Sequence, residues 1–276
     1  MILKQQWPRK PRAIVLFHSH GYAFRLLLAL NLTTFRAGIL ISFPVCGFLP
    51  FRAAFWKTRN VPNPMREIFY FYILVKPMQV IPGSFYQREN VVVVAQELLG
   101  KMLFTQFEGA VTGGIIVETE AYAGITDRAS HAFGNRRTAR TEVMYAEGGT
   151  AYVYLCYGVH SLFNIVTNKK DVPHAVLIRA IKPVIGMDTM LRRAGKASID
   201  KDFGNGPGKI SKILGIHFSH SGMDLTKKPT GISGQGIWLE DEGRTVLPEK
   251  IITGPRIGVE YAGKDALLPY RFRIMT

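Results

Sequence analysis

Cysteine is nearly absent from this chain: Cys46 and Cys156 are the only two in 276 residues. That excludes a disulfide framework and a cysteine-built zinc site, and it suits a reducing compartment. The seven histidines are scattered, with neither an HExxH pair nor His/Cys ligand spacing. No metal and no cofactor are therefore expected. Acidic residues are scarce as well, 20 Asp and Glu against 35 Lys and Arg, which leaves a formal net charge of +15 and a pI near 9.9. Long apolar runs are missing too. Residues 26–32 stop short of Arg36, and residues 37–51 are broken by Pro44 and Pro50, so neither run reaches the roughly 18 to 20 residues that cross a bilayer as a helix. There is no internal repeat and no low-complexity tract. What is present is a strongly basic chain long enough to bury a full core, and its partner should be a polyanion, nucleic acid before an anionic membrane surface.

The charge is unevenly spread. Residues 1–77 carry eleven Lys and Arg against the single acid Glu67, whereas residues 78–276 carry 24 against 19. The first segment is basic, rich in Phe and Leu, and lacks the ordered basic, apolar and small-residue regions of a signal peptide. Three readings stay open: a targeting or interfacial membrane segment, an added domain, or sequence upstream of a true start at Met78. The chemistry is expected in residues 78–276, and the location is expected to be cytoplasmic, on the nucleoid if the source is bacterial, with membrane association of residues 1–77 left open.

From residue 81 onward the pattern changes. Ser84 or Asn90 is placed to cap a helix over residues 91–99 with Gly100 as its stop. Residues 101–107 and 110–120 alternate as two strands joined at Glu108-Gly109. Residues 123–141 form a loop with a short turn near Ala129, dense in Arg128, Arg136, Arg137, Arg140, Thr138 and Thr141, donors suited to phosphate oxygens or simply to solvent. Two strands around Tyr157-Gly158-Val159-His160 make a hairpin with large side chains at its tip, either a wedge for a base step or a tip packed on a neighbouring loop. Residues 175–181 read as an apolar strand interrupted by Arg179, residues 183–193 as a helix, and Gly204 to Lys209 as a glycine-rich turn entering a helix over residues 210–214. That turn lacks the P-loop spacing but could still hold one phosphate. Trp238 and the tail add further strands. Antiparallel strands with separate helices predict one α+β domain: a mixed, mainly antiparallel curved sheet, surrounding helices and a protruding β-hairpin.

The chemistry converges on Val117-Glu118-Thr119-Glu120-Ala121-Tyr122, followed by His131. At the two-residue period of a strand, Glu118, Glu120 and Tyr122 share one face. A carboxylate beside an aromatic at a strand end can serve as a general base next to a stacking surface, and the alternative is an acidic edge facing solvent. Arg179, costly inside an apolar strand unless paired, finds its natural partner in Glu120.

Seven motifs in order carry a resemblance: Glu-Thr-Glu-Ala-Tyr at 118–122, His131, Tyr-Val-Tyr-Leu-Cys-Tyr-Gly at 152–158, Asn164, Leu-Ile-Arg-Ala at 177–180, Gly-Pro-Gly-Lys at 206–209 and Arg-Ile-Gly-Val at 256–259. Together they resemble the alkyladenine (3-methyladenine) DNA glycosylase family of base-excision repair, over about residues 81–274. The resemblance implies a monomer, with no obligatory protein partner, that binds double-stranded DNA containing damaged purines. It implies flipping of 3-methyladenine, 7-methylguanine or hypoxanthine and hydrolysis of the N-glycosidic bond, leaving an abasic site. On this pattern Glu120 activates the water and Arg179 helps to hold that water and to keep Glu120 ionised. Tyr122, His131 and Tyr154 cage the base, Asn164 crowds the amino group of normal guanine, and Tyr157 fills the vacated stack. Arg136, Thr138, Arg140, Met144 and Lys209 line the DNA face, and a backbone carbonyl near Ile257 touches the water. Glu118 reads as a partner for a basic side chain rather than a second catalytic carboxylate, since two ionised carboxylates so close would raise one pKa. The chain departs from the pattern at Gly208, where serine is usual, and in a longer loop over residues 168–173. Two rivals stand beside this reading. A glycoside hydrolase using Glu118 and Glu120 has no need of a cationic face, and a non-catalytic damaged-DNA-binding module has no need of Glu120 and Arg179.

Overall fold

The computed structural model describes residues 78–243 and 245–275 with side chains, and three strands of the earlier segment as backbone. The chain divides into two units, residues 1–65 and 66–276. In the first, β1 (Ala13–His20), β2 (Ala23–Leu32) and β3 (Phe35–Ser42) pair antiparallel in sequence order. The readings of residues 1–77 as targeting, membrane-surface or upstream sequence otherwise lie outside the described residues. Among the described residues no helix is long and apolar enough to cross a membrane.

The second unit is built on one antiparallel sheet of nine strands. Its spine runs β4 (Gln79–Val80), β10 (Gly236–Asp241), β5 (Met102–Phe107), β6 (Ala110–Tyr122), β9 (His174–Ile185), β8 (His160–Thr167) and β7 (Ala151–Cys156). β6 is the longest strand and organises the rest. β9 follows one of its edges, while the other edge is used twice, by β5 over Ala110 to Ile115 and then by β12 (Arg271–Ile274) over Glu118 to Glu120. β11 (Ile251–Gly254) completes the sheet outside β12. The C-terminal tail is thereby brought beside the carboxylates, with Arg271 opposite Glu120 and Arg273 opposite Glu118.

Among the described residues four short α-helices cover the sheet. After the single turn α1 (Gly83–Tyr86) comes α2 (Val91–Glu97), which opens on four valines, poor helix formers. Two things override propensity: the Asn90 side chain accepts from the Val92 and Val93 N–H groups at 3.0 and 3.2 Å, and Val91, Val94 and Ala95 are buried. The Thr119 hydroxyl donates to the Ala95 carbonyl at 2.8 Å. Thr119 thus faces the helix layer while Glu118 and Glu120 project to the other side, as strand periodicity requires.

The expected helix over residues 183–193 is a correction. β9 runs on to Ile185, and the helix α3 is Met187–Ala194. Pro183 is tolerated because the ladder is irregular opposite Gly113 and Gly114. Gly186, at φ 75°, then turns the chain where a Cβ would sit 2.3 Å from the Val111 carbonyl oxygen, so no other residue fits. α4 (Pro207–Leu214) starts with proline in its first turn and ends at Gly215 in the left-handed region. It packs on β8 and β9 through Ile210, Ile213 and Leu214.

Candidate active site

Glu120 is completely buried at the end of β6, yet each carboxylate oxygen has a donor. Oε2 accepts from the Tyr122 hydroxyl at 2.9 Å, and Oε1 accepts from the Ile257 backbone N–H at 2.9 Å and lies 3.3 Å from Nη1 of Arg179. Desolvation nevertheless pushes its pKa above the ordinary carboxylate value. Arg179, the Ile257 N–H and Tyr122 pull the other way, and neighbouring Glu118 adds a smaller upward push. The product is a carboxylate more basic than a free one, held in one orientation. Tyr122 itself is driven well above the usual tyrosine range, first by burial and then by the charge of Glu120, so it stays a proton donor.

Arg179 bridges both carboxylates. Its Nε donates to Glu118 Oε1 at 3.0 Å, and Glu118 also lies 3.8 Å from Nε of Arg271. The pairing of Arg179 with Glu120 expected from the apolar strand is present, and Glu118 is the second partner of the same guanidinium. At Ile257 the backbone N–H is bonded to Glu120, a contact the sequence did not convey.

Next to these donors opens a cavity of about 250 Å³; Tyr122, Arg179 and Ile257 reach its wall, and Glu120 lies just behind them. Tyr122, His131, Tyr154, Asn164 and Arg179 all line it, with Met144, Tyr152, Leu162, Pro207, Ile257 and Tyr261. The His131 and Tyr154 rings meet edge to face at 4.6 Å, and Nδ1 of His131 lies 2.9 Å from the Tyr152 hydroxyl. Burial, reinforced by Arg140 and Arg136, lowers the His131 pKa to about 4, so its imidazole is neutral at pH 7. Burial likewise pushes Tyr152 up to about 12 and raises Tyr154. The aromatic walls are therefore uncharged, and Arg179 brings a positive charge to the lining. The Asn164 amide nitrogen donates to the Tyr152 and Leu162 carbonyls, each at 3.2 Å, which fixes the side chain at the cavity wall.

Two arginines stand close to the cavity: the Arg140 guanidinium lies 5.0 Å over the Tyr154 ring, and Arg136 acts with it on His131. Arg136, Thr138, Arg140 and Lys209 are all exposed. Arg137 is committed elsewhere, to Glu142 and Asp171. Met144, grouped with the DNA face from sequence, is instead buried in a cluster with Tyr145, Tyr152 and Val166 and forms part of the cavity wall. Tyr157 stands at the hairpin tip, 94 % exposed. Tyr157 and Gly158 both take positive φ, 51° and 71°, and the Val159 N–H closes the turn on the Cys156 carbonyl at 3.1 Å. A bulky residue in that region costs on the order of 1 kcal/mol or more, and the turn spends it to hold an aromatic ring out of the body of the protein.

The glycine-rich turn has a part that spacing did not convey. The Gly206 N–H donates to the Arg179 carbonyl at 2.9 Å, and Ile181 donates to the Gly204 carbonyl at 2.9 Å. A Cβ on Gly204 would lie 2.5 Å from the Ile181 oxygen. The turn is therefore laid along β9 at Arg179, and its Gly206 N–H is already used rather than free for a phosphate.

Arg256, the first residue of the Arg-Ile-Gly-Val motif, was given no role from sequence, and neither was Asp127. They form a buried bidentate pair, with side chains at most 1 % exposed, just behind Tyr122. Each lies between exposed neighbours, so no apolar run announced the pair as one did for Arg179.

A family model described as methylpurine-DNA glycosylase matches residues 84–276. Among curated proteins, one from Chlamydia felis is 44 % identical over 194 residues, covering 70 % of this chain and 95 % of that protein. One from Bacillus subtilis is 43 % identical over 193 residues, covering 70 % and 91 %, and one from Clostridium perfringens is 41 % identical over 198 residues, covering 69 % and 93 %. All three carry the provisional name 3-methyladenine DNA glycosylase.

Proposed function

This chain belongs to the methylpurine-DNA glycosylase family, and on that premise we propose that it excises 3-methyladenine, and with it 7-methylguanine and hypoxanthine, by a water activated at Glu120. It is a DNA glycosylase of base-excision repair, a hydrolase of N-glycosyl bonds that binds damaged DNA. We assign the activity to residues 78–276, acting as a monomer without an obligatory protein partner.

In this reading the exposed Arg136, Arg140 and Lys209 meet the phosphates, with the Thr138 hydroxyl beside them. Tyr157 enters the gap left by the extruded nucleotide, at a cost in unstacking of a few kcal/mol that is smallest for a damaged pair. The base lodges among Tyr122, His131 and Tyr154. A 3-methylated or 7-methylated purine is cationic, so aromatic faces attract it and a neutral His131 adds no repulsion. Asn164, held by its two bonds, crowds the exocyclic amino group of guanine; 7-methylguanine keeps that group and is excised because its cationic base leaves readily, whereas normal guanine is both crowded and a poor leaving group. Water attacks C1′ and gives its proton to Glu120 while the N-glycosidic electron pair leaves with the base and neutralises it. The products are free base and an abasic site with its strands intact. Hypoxanthine, a neutral leaving group, follows the same path more slowly.

The observation that carries this reading is the buried Glu120, oriented by Tyr122, Ile257 and Arg179 at the side of an aromatic cavity. Free base released from alkylated duplex DNA, measured by chromatography, tests it. The wild type should release 3-methyladenine, and Glu120→Gln should bind the DNA and release none. Binding without release by the wild type would instead identify a damage-binding module.

A further inference from the structure

Ala121, Asp127, Asp265, Tyr122 and Tyr270 converge on one buried guanidinium. Nη1 of Arg256 donates to the Ala121 carbonyl at 2.9 Å and to Asp127 Oδ2, and Nη2 donates to Asp127 Oδ1 at 2.8 Å and to the Asp265 carbonyl at 3.1 Å. All four Nη hydrogens are thereby used, in the planar fork that only arginine supplies. Its Cζ lies 4.8 Å from the Tyr122 ring centroid and 5.3 Å from that of Tyr270. Asp127 in turn accepts from the Ala123 and Ala129 N–H groups, each at 3.0 Å.

The partners are not arbitrary. Ala121 lies between Glu120 and Tyr122, and Ile257, whose N–H reaches Glu120, follows Arg256 directly. Arg256 is absent from the cavity lining, so it meets the Tyr122 ring from behind. One side chain thus fixes two of the three donors around Glu120: the Ile257 amide through the backbone, and the Tyr122 hydroxyl through its ring and the adjacent carbonyl.

We infer that Arg256, locked by Asp127, is a positioning residue that holds the Tyr122 hydroxyl and the Ile257 N–H on Glu120 and keeps Tyr122 in register for stacking. The inference rests on Glu120 being the base. Lysine at 256 keeps the charge but offers a compact ammonium that cannot span the same acceptors. Misplacing a reacting geometry by about 1 Å costs on the order of 100-fold in rate.

The test is single-turnover excision from 3-methyladenine DNA as a function of pH, run beside affinity for the same duplex. Arg256→Lys should bind within about twofold of wild type and excise about 100-fold more slowly. Its acid limb should move to higher pH, because Glu120 loses two donors that favour its ionised form. The other ionisable groups facing Glu120 are Glu118, Arg179 from β9 and Arg271 from β12, and these are unchanged. Asp127→Asn keeps the shape and removes the fork's partner, and it carries the same expectation should Arg256→Lys fail to fold. Wild-type rate and acid limb in a folded variant, while Glu120→Gln is inactive, overturn the positioning role alone. If neither variant folds, the pair is purely structural and the inference falls. Turnover by Glu120→Gln would instead overturn the reading beneath it.

Discussion

Tyr122 donates its hydroxyl to Oε2 of Glu120 at 2.9 Å, two residues away on the same face of β6. The tyrosine is therefore both a wall of the cavity and a donor to the carboxylate beside it. Tyr122→Phe separates the roles, keeping the ring and deleting the bond. The hydroxyl favours ionised Glu120, so its loss should raise the carboxyl pKa further. Excision by Tyr122→Phe should fall below wild type at acid pH and approach it as pH rises. Rate–pH profiles that coincide would show that the hydroxyl does not tune Glu120.

His131 gives a second pH dependence, in stability rather than rate. Its folded pKa, about 4, lies below the ordinary 6.5 because the ring is buried near Arg140 and Arg136. Between those values the unfolded chain takes up a proton that the folded protein refuses. Stability is therefore complete above pH 6.5 and is lost as pH falls toward 4, by at most roughly 3 kcal/mol. Urea midpoints across this range should fall less steeply for His131→Gln than for wild type. Parallel curves would mean that the imidazole is protonated alike in both states.

Much of this was legible because it is local. Strand period alone put Glu118, Glu120 and Tyr122 on one face, Asn90 announced its helix, and the hairpin around Tyr157 follows from its alternation. Arg179 was legible for a different reason, since a guanidinium in an apolar strand demands a carboxylate. What escaped depends on distant pairing. The Ile257 N–H and the Arg256–Asp127 clamp reach across 137 and 129 positions, and they exist because β12 takes over the edge of β6 where β5 leaves it. No periodicity encodes that handover. Residues 183–185 misled because apolar strand and helix look alike over so short a run, and the decision fell to Gly186 against the Val111 carbonyl.

Gly208 stands where the resemblance leads one to expect serine, and its surroundings in the structure are tight. A Cβ there would lie 3.1 Å from Cβ of His160 and 3.2 Å from its Cγ. Glycine lets the tip end of the Tyr157 hairpin, at His160, close on the first turn of α4. His160 is exposed, so it can shift by the few tenths of an ångström that a side chain requires. Serine would also offer a hydroxyl at a helix N-terminus near Lys209, a donor for a phosphate oxygen. Gly208→Ser should therefore leave stability within about 0.5 kcal/mol, helix propensity offsetting the contact, and tighten binding to duplex DNA severalfold. Weaker binding together with a lower melting temperature would mean that His160 does not yield. In that case adding His160→Ala to Gly208→Ser should restore both, because the contact, not the hydroxyl, would be the cause.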